Sequence, residues 1–212
     1  MIRKNGFTLV ELLAVLVLLS VISIIAIPNV IDAVNSSKKN LYSEQVNRIL
    51  EAADRWAQDN DDKLPSTSLN SSRNYMDITV TMLREGGYIK NEDVKNPLKS
   101  SKNMNEKIRI IYNYGYNQYV SLFCDFPDDL ENNKKSDAQY FYTDNSKYES
   151  VKARCSSRKF GDVNNDGIVD SSDSSSLNSC KTNFTNDCYY GDLNFDGKIT
   201  DDDISLFNKY LS

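Results

Sequence analysis

Two stretches of this 212-residue chain carry oxygen-bearing side chains at matched spacing: "GDVNNDGIVDSSD" at 161–173 and "GDLNFDGKITDDD" at 191–203. Asp162, Asn164 and Asp166 alternate in the first, and Asp192, Asn194 and Asp196 in the second. Gly167 or Gly197 follows, then Ile168 or Lys198, then Asp170 or Thr200, and Asp173 or Asp203 closes a run of twelve. Side-chain oxygens at places 1, 3, 5, 9 and 12, a glycine at 6 for the sharp turn, and a backbone carbonyl at 7 make a cage for a hard cation. Oxygen donors of this kind select Ca²⁺ over zinc or copper, so two calcium ions are expected, one per loop. Val169 and Ile199 occupy place 8, where an apolar residue is expected to bring paired loops together.

Charge agrees with that reading. Residues 161–212 hold ten Asp and three Lys, a net of −7, which leaves +2 for the rest of a chain whose total is −5. Without cations these carboxylates would repel one another. Calcium at the millimolar level found outside cells would fill even a weak site of this type, since extracellular modules bind at roughly 10⁻⁴–10⁻³ M. The acidic balance argues against nucleic-acid binding by charge, and no nucleic-acid partner is expected. The chain has no His, and therefore lacks the usual general base and the commonest transition-metal ligand. It has no Ser/His/Asp set, no Cys/His pair and no phosphate-cradling glycine loop, so an enzyme is not expected.

Something must hold the loops in place. A helix is expected after each: "DSSSLNSC" after the first, with Leu177 as its one large apolar residue, and "DISLFNKYL" (203–211) after the second. Four cysteines, Cys124, Cys155, Cys180 and Cys188, lack any CxxC spacing, so zinc is not expected and disulfides are if the body lies outside the cell. Four cysteines allow three pairings, and sequence does not choose among them; nearness favours Cys180–Cys188 and Cys124–Cys155.

The opposite end of the chain is of another kind. Phe7 to Ile27 is a 21-residue run whose one charge is Glu11. At about 1.5 Å per residue it spans about 31 Å, enough for a bilayer core. Arg3 and Lys4 precede it, which keeps the N-terminus cytoplasmic and sends the rest outside. A carboxylate in such a run costs on the order of 3 kcal/mol and marks function.

Met1–Gly6 followed by "FTLVELL" resembles the class III leader of type IV pilins and pseudopilins. The resemblance implies cleavage between Gly6 and Phe7 by a prepilin peptidase, then N-methylation of Phe7. It also implies a role for Glu11, which would pair with the α-amine of Phe7 in a neighbouring subunit as filaments assemble. A buried carboxylate is tolerated when a buried cation faces it. Pro28 falls where many such proteins carry a helix-kinking proline, and it removes one helical hydrogen bond.

Between the two ends the pattern predicts α+β. From Asn29 to about Asn60, Ile31, Val34, Leu41, Val46, Ile49, Ala53 and Trp56 recur at helical steps, giving a helix with one buried face. "DNDDKLPSTSLNSS" reads as a loop, and Ile78–Pro97 as a short helix ending at Gly86-Gly87 followed by an extended segment. "KIRIIYNYGYNQYVSLFC" predicts a hairpin, strands about 107–112 and 116–124, around Asn113-Tyr114-Gly115. Residues 138–143 and 150–154 are expected as further antiparallel strands. The domains expected are a leader at 1–6, a transmembrane and polymerisation helix at 7–27, an amphipathic helix and sheet at 28–157, and a small helical calcium domain at 158–212.

The doubled loop-then-helix unit, with Asp rather than Glu at place 12, resembles the dockerin module of cellulosomes and, more distantly, an EF-hand. That resemblance implies a cohesin-bearing scaffold as partner, read through loop places 10 and 11. Ser171 and Ser172 suit that role, whereas Asp201 and Asp202 do not. Two functions stay open here. One is a pilus subunit, major or minor, made by the cytoplasmic membrane and displayed in an extracellular filament among other pilin subunits, its tail serving adhesion or cohesin docking. The other is a pseudopilin of a type II secretion or DNA-uptake system, with a purely structural calcium-stabilised tail.

Overall fold

The computed structural model describes residues 8–90, 94–99, 102–126 and 136–211. The leader and Phe7 lie outside the described residues, so the cleavage and methylation readings at Gly6 and Phe7 are not addressed by it. The chain divides into two compact units, one ending at Leu41 and one beginning at Tyr42.

Helix α1 (Leu9–Asp59) is the only long element among the described residues. Its start is closed by a reciprocal cap. Glu11 Oε2 accepts from the Thr8 amide and the Thr8 hydroxyl, each at 2.8 Å, and Thr8 Oγ1 accepts from the Glu11 amide at 3.2 Å. From Leu9 to Ile22 the helix presents an apolar surface nearly all round: Leu9, Val10, Leu12, Leu16, Leu19 and Ile22 are all more than half exposed. A helix apolar on every side belongs in lipid or among copies of itself. Among the described residues no single helix is long and apolar enough to cross a membrane; Leu9–Ser23 and Ile27–Asp59, bent by 42° at a short break, pass together by length and composition. Pro28 lies beside that break, four residues after the carbonyl it cannot bond. The predicted buried face of the amphipathic stretch is realised at Val46, Ile49, Ala53 and Trp56, whereas Ile31, Val34 and Leu41 are exposed.

The second unit is layered. The end of α1 covers one face of a three-stranded antiparallel sheet, order β1 (Tyr75–Thr79), β2 (Lys107–Asn113), β3 (Gln118–Cys124). Ile108, Ile110 and Phe123 point into a core with Tyr42, Val46, Ile49, Ala53 and Trp56 of the helix. The strand alternation sends Ile111, Leu122 and Cys124 to the opposite face. There they join a second core with Tyr148 and Val151 of α3 (Asn145–Cys155) and with Val163, Val169, Leu177, Leu193, Ile199 and Phe207 of the acidic repeats. The repeats thus share a core with the sheet. This central position explains why β2 is buried almost from end to end, Arg109 included: both its faces are covered.

Three expectations are corrected. The hairpin is real, at Lys107–Asn113 and Gln118–Cys124, but residues 138–143 and 150–154 are not strands. Asp137–Tyr140 is a short 3₁₀ turn and 150–154 lies within α3. Asp144 caps that helix by accepting from the Lys147 amide at 2.8 Å, and Tyr148, Val151 and Cys155 recur on its buried side at helical steps. One Val in a run of Lys, Glu, Ala and Arg was too little to make a strand. The third is β1, which Ile78 belongs to rather than to the short helix; α2 (Val80–Glu85) starts after it, capped by the Thr79 hydroxyl and ended at Gly86. Both disulfides favoured by nearness are present, Cys124–Cys155 and Cys180–Cys188.

Candidate metal centre

Each acidic loop leads into a helix: the first into α4 (Ser171–Cys180), the second into α5 (Asp201–Tyr210). Asp170 and Thr200, the residues at place 9, are the two N-caps. Asp170 accepts from the Ser172 amide at 2.7 Å and Thr200 Oγ1 from the Asp202 amide at 3.3 Å. Between α4 and the second loop, the Cys180–Cys188 bridge ties the helix end to a 3₁₀ turn at Asn186–Gly191. Gly191 is required there, because a Cβ would stand 2.3 Å from Leu177 Cδ1.

The loops match bond for bond. Asp162 accepts the amides of Asp166 and Gly167, both at 3.1 Å; Asp192 accepts those of Asp196 and Gly197, at 3.2 and 2.9 Å. Asn164 and Asn194 each accept the amide two residues on, at 3.0 and 3.1 Å. Asp166 and Asp196 do the same for Ile168 and Lys198, at 2.9 and 2.8 Å. Asp173 reaches back to the Val163 and Asn164 amides at 2.7 and 3.0 Å, and Asp203 to those of Leu193 and Asn194 at 2.9 and 3.4 Å. Both loops take left-handed backbone at places 4 and 6: Asn165 (φ 62°) and Gly167 (86°), Phe195 (67°) and Gly197 (79°). Glycine tolerates that conformation at place 6, whereas a bulky Phe at place 4 is strained.

Electrostatics favour a cation here. Asp162, Asp173, Asp192 and Asp203 are all essentially buried, at 0–2 % exposure. Buried carboxylates are costly unless paired, and amide donors leave free lone pairs on their oxygens. Burial pushes the Asp203 carboxyl up, against the pull of the Thr200 amide, whereas hydrogen bonds from Ser172 hold the exposed Asp170 down. Among the described residues no group of three or more His, Cys, Asp or Glu is gathered as a metal cluster. The position-12 carboxylates are turned onto their own loop amides, and the donor set drawn from sequence also includes Asn and backbone carbonyls. With oxygen the sole donor atom and acidic side chains in excess, the residues present suit a hard cation.

Two arginines that sequence reasoning missed sit against the loops. Arg154, in the last turn of α3, is fully buried; burial pushes its guanidinium down, countered by the charge of Asp192. Arg158 follows the helix and reaches the first loop. Behind them Arg109 of β2 bonds Asp77 at 2.8 and 2.9 Å and the carbonyls of Arg154 and Ser156 at 2.5 and 2.6 Å. No sequence signal marked Arg154, since it fell in a segment misread as a strand. Ser171 and Ser172, the residues expected to meet a cohesin, are exposed on the first turn of α4.

Comparison with known proteins locates two families on the chain. The prokaryotic N-terminal methylation motif matches residues 1–27, and the dockerin type I domain matches residues 160–212. No curated protein and no solved structure matches the chain. The dockerin match supports calcium as the ion for these loops. The chain therefore carries a class III methylation leader at one end and a type I dockerin domain at the other.

Proposed function

We propose that this protein is a type IV pilin-like subunit that displays a calcium-loaded dockerin domain outside the cell. A prepilin peptidase cleaves between Gly6 and Phe7, the helix from Phe7 to Ile27 holds the subunit in the cytoplasmic membrane with its N-terminus inside, and Glu11 pairs with the Phe7 amine of a neighbour during assembly. The sheet-bearing body spans residues 28–157 and the dockerin-like domain 158–212. Both matched families are non-enzymatic, and no catalysis is assigned.

Two ions are proposed. Asp162, Asn164, Asp166, Asp170, Asp173 and the Ile168 carbonyl form the first set. Asp192, Asn194, Asp196, Thr200, Asp203 and the Lys198 carbonyl form the second. Bound calcium would neutralise the carboxylates and tie each loop to the helix that follows. The observation that carries this reading is the loop-for-loop repetition of hydrogen bonds and left-handed residues within the segment that matches a dockerin.

The exposed first turn of α4 is proposed as the cohesin-reading surface. Capture of a cohesin domain by the full chain in detergent tests it. Binding in calcium that is lost in EDTA, and lost in Ser171→Asp without a change in melting temperature or in calcium uptake, is the expected result. Absence of calcium-dependent capture by the wild type would remove cohesin docking and leave calcium as a structural ion.

A further inference from the structure

Position 1 of each loop receives a guanidinium in the same way. Arg154 Nη2 donates to the Asp192 carbonyl and lies 3.3 Å from Asp192 Oδ2. Its Nη1 donates to Ser150 Oγ, which itself donates to Asp192 Oδ2 at 2.7 Å. Four residues on, Arg158 donates to the Asp162 carbonyl through Nε at 2.9 Å and Nη2 at 2.5 Å, and to the Val163 carbonyl at 2.9 Å. The two are unequal. Arg154 is 1 % exposed, lies 3.7 Å from the Phe195 ring and 5.1 Å from that of Phe160, and faces a carboxylate with no exposure. Arg158 is 13 % exposed, stays 3.8 Å from Asp162 Oδ2 and shares its charge with the exposed Asp187.

We propose that the Arg154 guanidinium is a built-in cation of the second loop. It carries the charge of buried Asp192 when calcium is absent, so this loop keeps its shape without the ion and binds calcium more weakly than the first. The argument is one of charge. A carboxylate removed from water must have a partner, and Asp192 has one in every calcium-free molecule. An arriving Ca²⁺ then shares Asp192 with a fixed positive charge, and because Arg154 and Asp192 are both buried that repulsion is screened little. Asp162 lacks a guanidinium within hydrogen-bonding reach of its carboxylate, so the first loop depends more on the ion. The contact also explains the strained Phe195, whose ring lies against Arg154 and Phe160.

This inference rests on the calcium reading above, and the test separates the two. Wild type, Arg154→Met and Arg158→Met, as full chains in detergent, are melted in EDTA and in millimolar calcium and titrated with calcium. Arg154→Met is expected to lose several degrees of melting temperature in EDTA and to recover most of it in calcium. By the same linkage the weaker of its two calcium sites should tighten about tenfold. Arg158→Met should show a smaller difference between the two conditions. Equal loss in both, with unchanged affinity, would mean that Arg154 only fills space, and would overturn the proposal. Should Arg154→Met fail to fold in either condition, amide exchange of the wild type in EDTA decides: Asp196 and Gly197 more protected than Asp166 and Gly167 supports it, and equal protection overturns it. If the wild type takes up no calcium, the calcium reading falls, and the same exchange comparison still judges the guanidinium.

Discussion

Glu11 and the paired aspartates pose the same physical problem at opposite ends of the chain, a carboxylate where water is scarce. Each is first satisfied locally. Thr8 gives Glu11 an amide and a hydroxyl, and the loop amides serve Asp162 and Asp192. Thr8 and the loop amides carry no countercharge; only Asp192 has one close at hand, in Arg154, and in the proposed reading a neighbour's amine would add it at Glu11 and calcium at Asp162. If a neighbour's Phe7 amine pairs with Glu11, Glu11→Ala and Glu11→Gln should both be cleaved normally and form few or no filaments. The Gln variant matters because it keeps an acceptor for the Thr8 cap, whose loss alone costs about 1 kcal/mol. Gel mobility of the processed chain and electron microscopy of sheared surface fractions measure the two steps. Filaments at wild-type level from either variant would refute the pairing.

At the scale of elements, legibility followed burial pattern and local chemistry. The helix to Asp59, the 107–124 hairpin and the loops were visible because apolar period, turn residues and ligand spacing are all short-range signals. β1 and α3 were not. β1 is an edge strand whose pairing, Tyr75 with Ile111 through Thr79 with Lys107, is set by distant residues. Residues 150–154 of α3 read as a strand in the sequence, whereas the Asp144 cap and the core that the segment meets make it helical. The arginine contacts were invisible for the same reason, since sequence places Arg154 and Asp192 far apart. Thin packing makes α4 the weak element: Leu177 is its one large apolar side chain in the core, and the Cys180–Cys188 bridge compensates. Closing a loop this short is worth about 2–3 kcal/mol in the chain-entropy account. Cys180→Ser/Cys188→Ser should therefore lower stability by about that amount and weaken calcium binding at the first loop more than at the second. Chemical denaturation and calcium titration read both effects, and equal weakening at the two loops would contradict the assignment of the bridge to α4.

The whole molecule joins two surfaces with different solvents. The helix from Leu9 to Ile22 is apolar on nearly all sides, as suits lipid or a filament interior. The second closes its core with the acidic repeats, so the calcium loops are part of the body that folds. Metal binding to such loops would then be folding free energy. The central claim, that residues 160–212 are a working calcium domain, is tested most directly by calorimetric titration of the calcium-stripped full chain in detergent. The account predicts two bound ions with unequal affinities, and loss of one site each in Asp162→Ala and Asp192→Ala. No uptake of calcium by the wild type, or uptake that survives both substitutions together, would contradict it.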